Sequence, residues 1–475
     1  MVRVIDLRNQ SLIDRVIAEG QEQVFRWWDE LSEMSRENLL EQLRSIDFDL
    51  LNALRKKCSA DKQRIKKPVL EPVQALPIPN KAEEIAAAKQ AREIGEAMLR
   101  SGKVAVFLVA GGQGTRLGFH GPKGCFPIGP VSGKSLFQIH AEKILAHSRA
   151  YGVPIPWYIM TSETNDTETR QFFQRNKYFN LKSDTVHFFK QRMIPALDET
   201  GKLILDRKDH IFMSPNGHGG SLLALSESGA LSDMEKRGIE IISYFQVDNV
   251  LIRMIDPVFI GYHVQAKAEM SSKMLRKRNP QEKVGLFGRV NGRLTVIEYS
   301  DMSEDDKKAK NPDGSLKYGA GSIAIHLINV DFVQHEVTGG FKLPYHVTHK
   351  KIPHLDEMGE QILPDEPNGF KFEAFVFDAL KDTSHSIVME VVREDEFSPV
   401  KNKDGVASPE TAKRDLSNFF GRWLESADIS VSRDDEGNVE GAIEIHPLFA
   451  RNKEEFLNKG PHDYIFEGSL FIDAH

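Results

Sequence analysis

From Ala110 to Lys134 the chain runs AGGQGTRLGFHGPKGCFPIGPVSGK, rich in glycine, with Arg116 and Lys123 as fixed positive charges and no carboxylate. Glycine lets backbone N–H groups come close to an anion, and Arg and Lys supply charge to match it, so this composition suits a polyphosphate. The Gly121-Pro122 pair sets a turn that can aim Lys123 back at the bound group. A P-loop is excluded, because Ile128 stands where the first glycine must precede Gly133-Lys134-Ser135. The dinucleotide fingerprint fails as well. Gly112, Gly114 and Gly118 have one residue too many between the second and third glycine, and no acid ends a second strand about 20 positions on, which disfavours an NAD-dependent oxidoreductase.

Other residues carry chemistry of less definite kind. Asp248, in QVDN, follows the apolar run IEIISYF, so it sits at a strand's carboxyl end as either a metal ligand or a turn cap. Lys401 lies in the charged turn REDEFSPVKN, a solvated loop on composition alone. A buried Gln191 can pair with a donor and an acceptor on a base edge, whereas an exposed one does nothing of the kind. His346, His349 and His354 are joined by no cysteine, which disfavours a zinc cluster, and Cys125 beside Lys123 reads as a packed cysteine.

These residues must be positioned by an alternation of apolar strands and amphipathic helices. KVAVFLVA precedes the helix SLFQIHAEKILAHSRA, PIPWYIMTS precedes ETNDTETRQFFQRNKYF, and TVHFFKQ, IEIISYFQVDN and PVFIGYHVQAKA follow. Such alternation predicts an α/β fold with a mostly parallel sheet covered on both faces, and ligands at the carboxyl ends of its strands. Before it, residues 10–57 show helical spacing and lead into the basic stretch RKKCSADKQRIKK, read as a solvated helix end. The four prolines of PVLEPVQALPIP exclude a helix or a central strand, and Asn80 is expected to cap the helix that ends at Gly102. Toward the C-terminus, TAKRDLSNFFGRWLESA reads as a helix and ISVSRDDEGNVEGAIEIHPL as a β-hairpin turning near 435–438.

The net charge of −7 argues against general affinity for nucleic acid. No apolar stretch reaches the length of a membrane span and the start has no signal-peptide core, so neither membrane nor secretion is expected. Two cysteines, Cys58 and Cys125, suit a reducing compartment, with the cytoplasm as the expectation.

The segment GGQGTRLGFHGPK resembles the nucleotide-binding signature G-G-x-G-T-R-L-G-x-x-x-P-K of the eukaryotic-type UDP-sugar pyrophosphorylases. The resemblance is collinear over roughly residues 80–402, through SLFQIHAEKIL, PWYIMTS, FQVDNVLIRMIDPVFIGY, VIEYSDMS and HKKIPHLDEMGEQILPDEPNGFKFEAFVFDAL to REDEFSPVKN. It implies a Rossmann-like catalytic domain, placed at 99–389, between a helical N-terminal domain with its Pro-rich linker (1–98) and a small α+β C-terminal domain (390–475). It also implies a nucleotidyltransferase that joins UTP to a sugar 1-phosphate with Mg²⁺, or Mn²⁺ in its place, releasing pyrophosphate.

By that resemblance Arg116, Lys123 and Lys401 contact the phosphates, Lys371 is a weaker transfer of the same kind, and Asp248 holds the metal. Ala110, Gly111, Gly112, Gln191 and Gly217 serve the uracil, and Gly285 and Glu298 match sugar-contacting positions. The sugar pocket departs from the acetylhexosamine branch of the family. PNGHGG puts Asn216 and His218 where that branch has Asp and Asn, and GAGS puts Gly319 and Ser322 where it has two asparagines. A serine cannot offer the paired donor and acceptor of an amide. N-Acetylglucosamine 1-phosphate is the leading substrate, glucose or galactose 1-phosphate the alternative, and a non-catalytic UDP-sugar binder the rival of another class.

Overall fold

The computed structural model describes residues 8–59, 70–299, 301–461 and 463–474. The start of the chain, the basic stretch from Ala60 onward and the beginning of the proline-rich segment lie outside the described residues. Packing divides the chain into two units at boundaries other than 98/99 and 389/390. One comprises 1–68, 191–220 and 343–376, and the other 69–190, 221–342 and 377–475.

The first unit is built from three distant stretches of sequence. Helices α1 (Gln10–Ala18), α2 (Glu33–Ser45) and α3 (Phe48–Ser59) bury Ile13, Val16, Leu39, Leu43 and Leu51, as the helical spacing predicts. Two glutamines, Gln21 buried and Gln42 half-buried, join them to the 191–220 segment. Gln21 donates to the Gly201 carbonyl (3.1 Å) and accepts from the Leu203 N–H (2.8 Å), and Gln42 makes the same pair of bonds with Ile211 (3.2 and 2.8 Å). Strand Gly369–Ala374 pairs antiparallel with Tyr345–Lys350 on one side and Leu197–Asp198 on the other.

Among the described residues the second unit holds a ten-stranded sheet. Its first strands are β1 (Leu70–Pro72), β2 (Val104–Val109), β3 (Trp157–Thr161) and β4 (Val186–Lys190). The expected parallel arrangement is the run Ile241–Gln246, β2, β3, β4, in which every neighbour is parallel. β2 and β3 are buried almost throughout, which is why they read as unbroken apolar runs. On the far side of Ile241–Gln246 the sheet continues antiparallel through Ala320–Asn329 and Leu286–Val290 to β1. β1 is an edge strand, so Pro72 costs no interior ladder bond.

Helices α4 (Ala82–Arg100), α5 (Leu136–Tyr151) and α6 (Asp166–Arg175) belong to this unit. The Asn80 side chain does not cap α4: the Glu84 carboxylate accepts the backbone N–H groups of Asn80 (3.0 Å) and Lys81 (3.3 Å) instead. A glycine within a helix costs about 1 kcal/mol relative to alanine. Here it permits a close crossing of α4 and the helix Pro257–Gln265. A Cβ at Gly95 would lie 1.9 Å from the Pro257 carbonyl oxygen and one at Gly261 1.7 Å from that of Ala91.

The predicted hairpin near 435–438 is corrected. The turn forms, with the Asp434 N–H donating to Asn438 O (2.9 Å) and a bridge between Arg433 and Val439. The apolar strand Ala442–Ile445, however, pairs parallel with Ser469–Ile472 rather than folding back on the 429–432 segment. The reason is burial: Ile443, Ile445 and Ile472 close a small core with Trp423 and Phe456.

Candidate active site

The glycine segment leaves the carboxyl end of β2, where the Ala110 N–H still bonds to Met160 of β3 (2.8 Å). Its shape is set by internal bonds: Gly114 N–H to Gly121 O (2.9 Å), Lys123 N–H to Gly112 O (3.1 Å) and Leu117 N–H to Gly114 O (2.8 Å). Leu117 is buried and leaves Arg116 beside it exposed. A Cβ at Gly112 would meet nothing within 4 Å, so the backbone there faces open space. Asn165, which sequence reasoning missed, holds the entrance from the far end of β3. Its Nδ2 donates to the carbonyls of Ala110 (2.9 Å) and Gly112 (3.3 Å), while its Oδ1 accepts the Ser162 N–H (2.8 Å).

Strand Ile241–Gln246 runs parallel beside β2, so its carboxyl end delivers the buried Asp248 next to this loop. Segment 396–400 is sewn onto the same turn. Val400 N–H donates to Asp248 O (2.9 Å), Asn249 Nδ2 to Glu396 O (2.7 Å), and Ser398 N–H to Asn249 Oδ1 (3.0 Å). Lys401, an unremarkable loop lysine by composition, is thereby fixed one residue beyond the Asp248 contact. Burial holds the Lys123 ammonium below the usual lysine range, Lys401 and Arg116 push it the same way, and Asp248 opposes them. Three charged groups predicted from distant motifs, Asp248, Lys401 and Arg116, therefore all act on Lys123.

Two further residues support the Asp248 turn from α5. The fully buried His140 places Nε2 3.2 Å from Val247 O, and Lys143 donates to the carbonyls of Val250 (2.7 Å) and Ile252 (3.0 Å). They stand three residues apart and so share one face of the helix.

Beside Asp248 and Lys401 opens a cavity of about 160 Å³ that is also lined by Gly285, Glu298 and Ser322. Three segments predicted to meet a sugar thus share one space with the acid and the lysine. Its wall includes Ala324, whose φ of 54° accompanies a register shift opposite, between Ser272 and Met274. Bulges of this sort re-aim strand residues at sites. The Ser322 N–H is bonded to Gly285 O (2.8 Å), which keeps the two strands at a fixed separation.

Within the first unit, Gln191 is buried and its Nε2 donates to Gly217 O (2.7 Å) and more weakly to Asn216 Oδ1 (3.3 Å). The donor side of the amide is therefore engaged internally. Gly217 has φ 80°, and a Cβ there would stand 2.3 Å from the Ala374 carbonyl oxygen, so the turn requires glycine. His218 stacks on Phe375 (5.3 Å between centroids), and its Nδ1 accepts the Val376 N–H (3.2 Å). Lys371 places its ammonium 4.7 Å over the Phe212 ring, and burial lowers its pKa.

His346, His349 and His354 are separately occupied, against Phe375, Glu199 (3.0 Å) and Ile352 O (3.3 Å). Burial, then Glu168, pushes the Cys125 thiol up to about 12, in keeping with a packed cysteine.

Three cations and one carboxylate, carried by a glycine loop with open backbone, the strand end beside it and the segment bonded to that end, can bind a polyphosphate and take up charge developing on its oxygens. Among the described residues no group of three or more His, Cys, Asp or Glu side chains gathers to cage a metal. A single carboxylate still fits a hard divalent ion that completes its shell with phosphate oxygens and water, as Mg²⁺ commonly does. Among the described residues no helix is long and apolar enough to cross a membrane.

The profile of the UTP–glucose-1-phosphate uridylyltransferase family matches residues 48–410. The chain is 39% identical over 476 residues to UDP-N-acetylhexosamine pyrophosphorylase-like protein 1 of Xenopus tropicalis, with 92% of each covered. It is 38% identical over 439 residues to the UDP-N-acetylglucosamine pyrophosphorylase of Saccharomyces cerevisiae, covering 87% of this chain and 91% of the other. Its fold is similar to the crystal structure of the uridine diphosphate N-acetylglucosamine pyrophosphorylase of Trypanosoma brucei in complex with an inhibitor. The TM-score is 0.82 at 28% identity, with 100% and 99% of the two chains covered.

Proposed function

The chain belongs to the UTP–glucose-1-phosphate uridylyltransferase family, and on that premise we propose that it joins UTP to N-acetylglucosamine 1-phosphate, releasing pyrophosphate. The observation that carries this reading is that Asp248 and Lys401, tied together by the Val400 N–H to Asp248 O bond, share one cavity with Gly285, Glu298 and Ser322 and act with Arg116 on Lys123.

The attacking atom is a phosphate oxygen of the sugar 1-phosphate. A phosphate monoester's second pKa is about 6, so this oxygen is largely ionised at neutral pH and needs no general base. What the protein must supply is in-line alignment and neutralisation of charge. Backbone of Ala110, Gly111 and Gly112 serves the uridine end, and by resemblance Gln191 and Gly217 of the first unit are further uracil positions, the Gln191 Nε2 being engaged by Gly217 O. Arg116 and Lys123 take the triphosphate, Arg116 stabilising the pyrophosphate as it leaves, and Lys401 reaches the phosphates from the other side. Asp248 would hold Mg²⁺, or Mn²⁺, which supplies further neutralisation of phosphate charge when bound. Lys371, over Phe212 in the first unit, is a weaker candidate for a phosphate contact.

Gly285, Glu298 and Ser322 meet the sugar, with His218 a further specificity position. Ser322 and Gly319, which lack side-chain amides, favour glucose or galactose 1-phosphate as the second reading. Two free cysteines support a cytoplasmic setting. Pyrophosphate release from UTP with a panel of sugar 1-phosphates, with Mg²⁺ or with EDTA, tests the proposal. Fastest turnover with N-acetylglucosamine 1-phosphate supports it, glucose 1-phosphate running faster replaces the sugar, and no release with any sugar rejects the transferase reading.

A further inference from the structure

A second cavity, of about 320 Å³, lies within the second unit between α5, residues 251–258, the helix Pro409–Glu425 and residues 444–458. Among the described residues only Ile252 lines both this cavity and the one beside Asp248, so the two are separate spaces with a common wall. The apolar lining comes from Ile139, Met254, Leu416, Phe419 and Trp423, a surface suited to a flat hydrophobic body.

The charges are less ordinary. The carboxylates lining the cavity are committed: Glu454 to Arg92 (2.7 Å), Glu455 to Arg451, Glu96 to Arg100 (2.6 Å), Glu142 to Lys134 (2.8 Å), Asp256 to Lys273 (2.7 Å) and Glu444 to the N–H groups of Val131 and Ser132 (3.1 and 2.9 Å). Arg253, which also lines it, makes no hydrogen bond and no ion pair with any described residue, and is balanced only at a distance by Glu396, Asp256 and Asp395. Asp395 is itself paired with Arg422 (2.7 Å). Lys273, fully buried, takes both Asp256 and Glu396 within 2.8 Å. Lys143 is held by two backbone carbonyls, and burial pulls its pKa down to about 7. A guanidinium with unused donors, exposed at the rim of an apolar wall whose carboxylates are all engaged elsewhere, is a ready partner for an anion.

We propose that this cavity is a second ligand site, for an apolar, largely flat molecule carrying one anionic group that Arg253 receives. Because Lys143 reaches from the cavity to the carbonyls on either side of Leu251, an occupant also acts on the turn that begins at Asp248.

1-Anilinonaphthalene-8-sulfonate, an aromatic monoanion, is the probe. Its fluorescence titration against the full chain should show one saturable site that saturating UTP does not displace. Arg253→Gln should weaken that binding by about tenfold or more, the loss expected for a charged hydrogen bond, while Arg253→Lys retains most of it. Both variants should keep the thermal midpoint and the pyrophosphate-releasing activity measured without the probe. The neutral analogue N-phenyl-1-naphthylamine should bind much more weakly than the sulfonate. Displacement by UTP, equal binding by Arg253→Gln and the wild type, or equal affinity for the neutral analogue would each overturn the proposal.

Discussion

The Nε2 of His140 lies 3.2 Å from the carbonyl oxygen of Val247, the residue before Asp248. Because a carbonyl only accepts, Nε2 carries the proton, and the other ring nitrogen is buried with no partner among the described residues. Burial first, then Lys143, pulls this imidazole down to about 3. A neutral helix residue thus fixes the backbone that presents the acid.

His140→Leu should therefore lower kcat about tenfold with little change in KM for UTP, the effect of a misplaced Asp248 turn. His140→Gln, which retains a neutral N–H donor, should recover most of the loss. A purely structural role for His140 would lower the melting temperature in both variants and separate neither in kcat.

The same histidine sets an acid limit. Its folded value of about 3 lies below its ordinary 6.5, so the unfolded chain takes the proton first. Its contribution is fully present above about pH 6.5 and is lost as the pH falls toward 3, by up to about 1.4 kcal/mol per pH unit. Denaturant unfolding between pH 7 and 4 should show a shallower loss of stability in His140→Gln than in the wild type.

Asn165→Ala should leave the Ala110 carbonyl without its buried donor and the Gly112 carbonyl with the Lys123 N–H alone. Removing one partner of such bonds costs about 1–3 kcal/mol, and here the cost falls on the shape of the glycine loop. The expected outcome is a KM for UTP raised about tenfold at nearly constant kcat, read from initial rates. An unchanged KM would remove Asn165 from the positioning of the loop.

Much of this site was legible from residue types and spacing. Arg116 and Lys123 stand out because the glycines around them fit neither familiar phosphate motif, and Asp248 because it ends an apolar strand. Asn165, His140 and Lys143 gave no such signal, since each works on backbone carbonyls far away in sequence and only the fold brings those oxygens within reach. The union of 191–220 and 343–376 with the N-terminal helices was hidden for the same reason: Gln21 and Gln42 look like surface glutamines until their partners at 201–203 and 211 are known. The misread hairpin at 429–448 shows that a true turn does not guarantee that its flanks pair, because Ala442–Ile445 finds a better buried partner in Ser469–Ile472.

Arg116→Ala should leave a folded protein with kcat reduced about a hundredfold or more, the usual loss when a donor to transition-state charge is removed. Comparable melting curves establish the fold, and single-turnover rates measure the step. Undiminished turnover would take Arg116 out of the mechanism.

Ser322→Asn should raise the ratio of kcat/KM for N-acetylglucosamine 1-phosphate over glucose 1-phosphate by about tenfold. An amide restores a paired donor and acceptor in the cavity shared with Gly285 and Glu298. A ratio that stays the same or falls would place sugar selection elsewhere.

The most direct test of uridylyl transfer at the Arg116, Lys123, Lys401 and Asp248 cluster runs the reaction backward with labelled pyrophosphate, Mg²⁺ and UDP-N-acetylglucosamine. Label should enter UTP with the wild type and fall to a trace with Asp248→Ala. No labelled UTP from the wild type with this or any UDP-sugar, or full labelling by Asp248→Ala, would contradict the account.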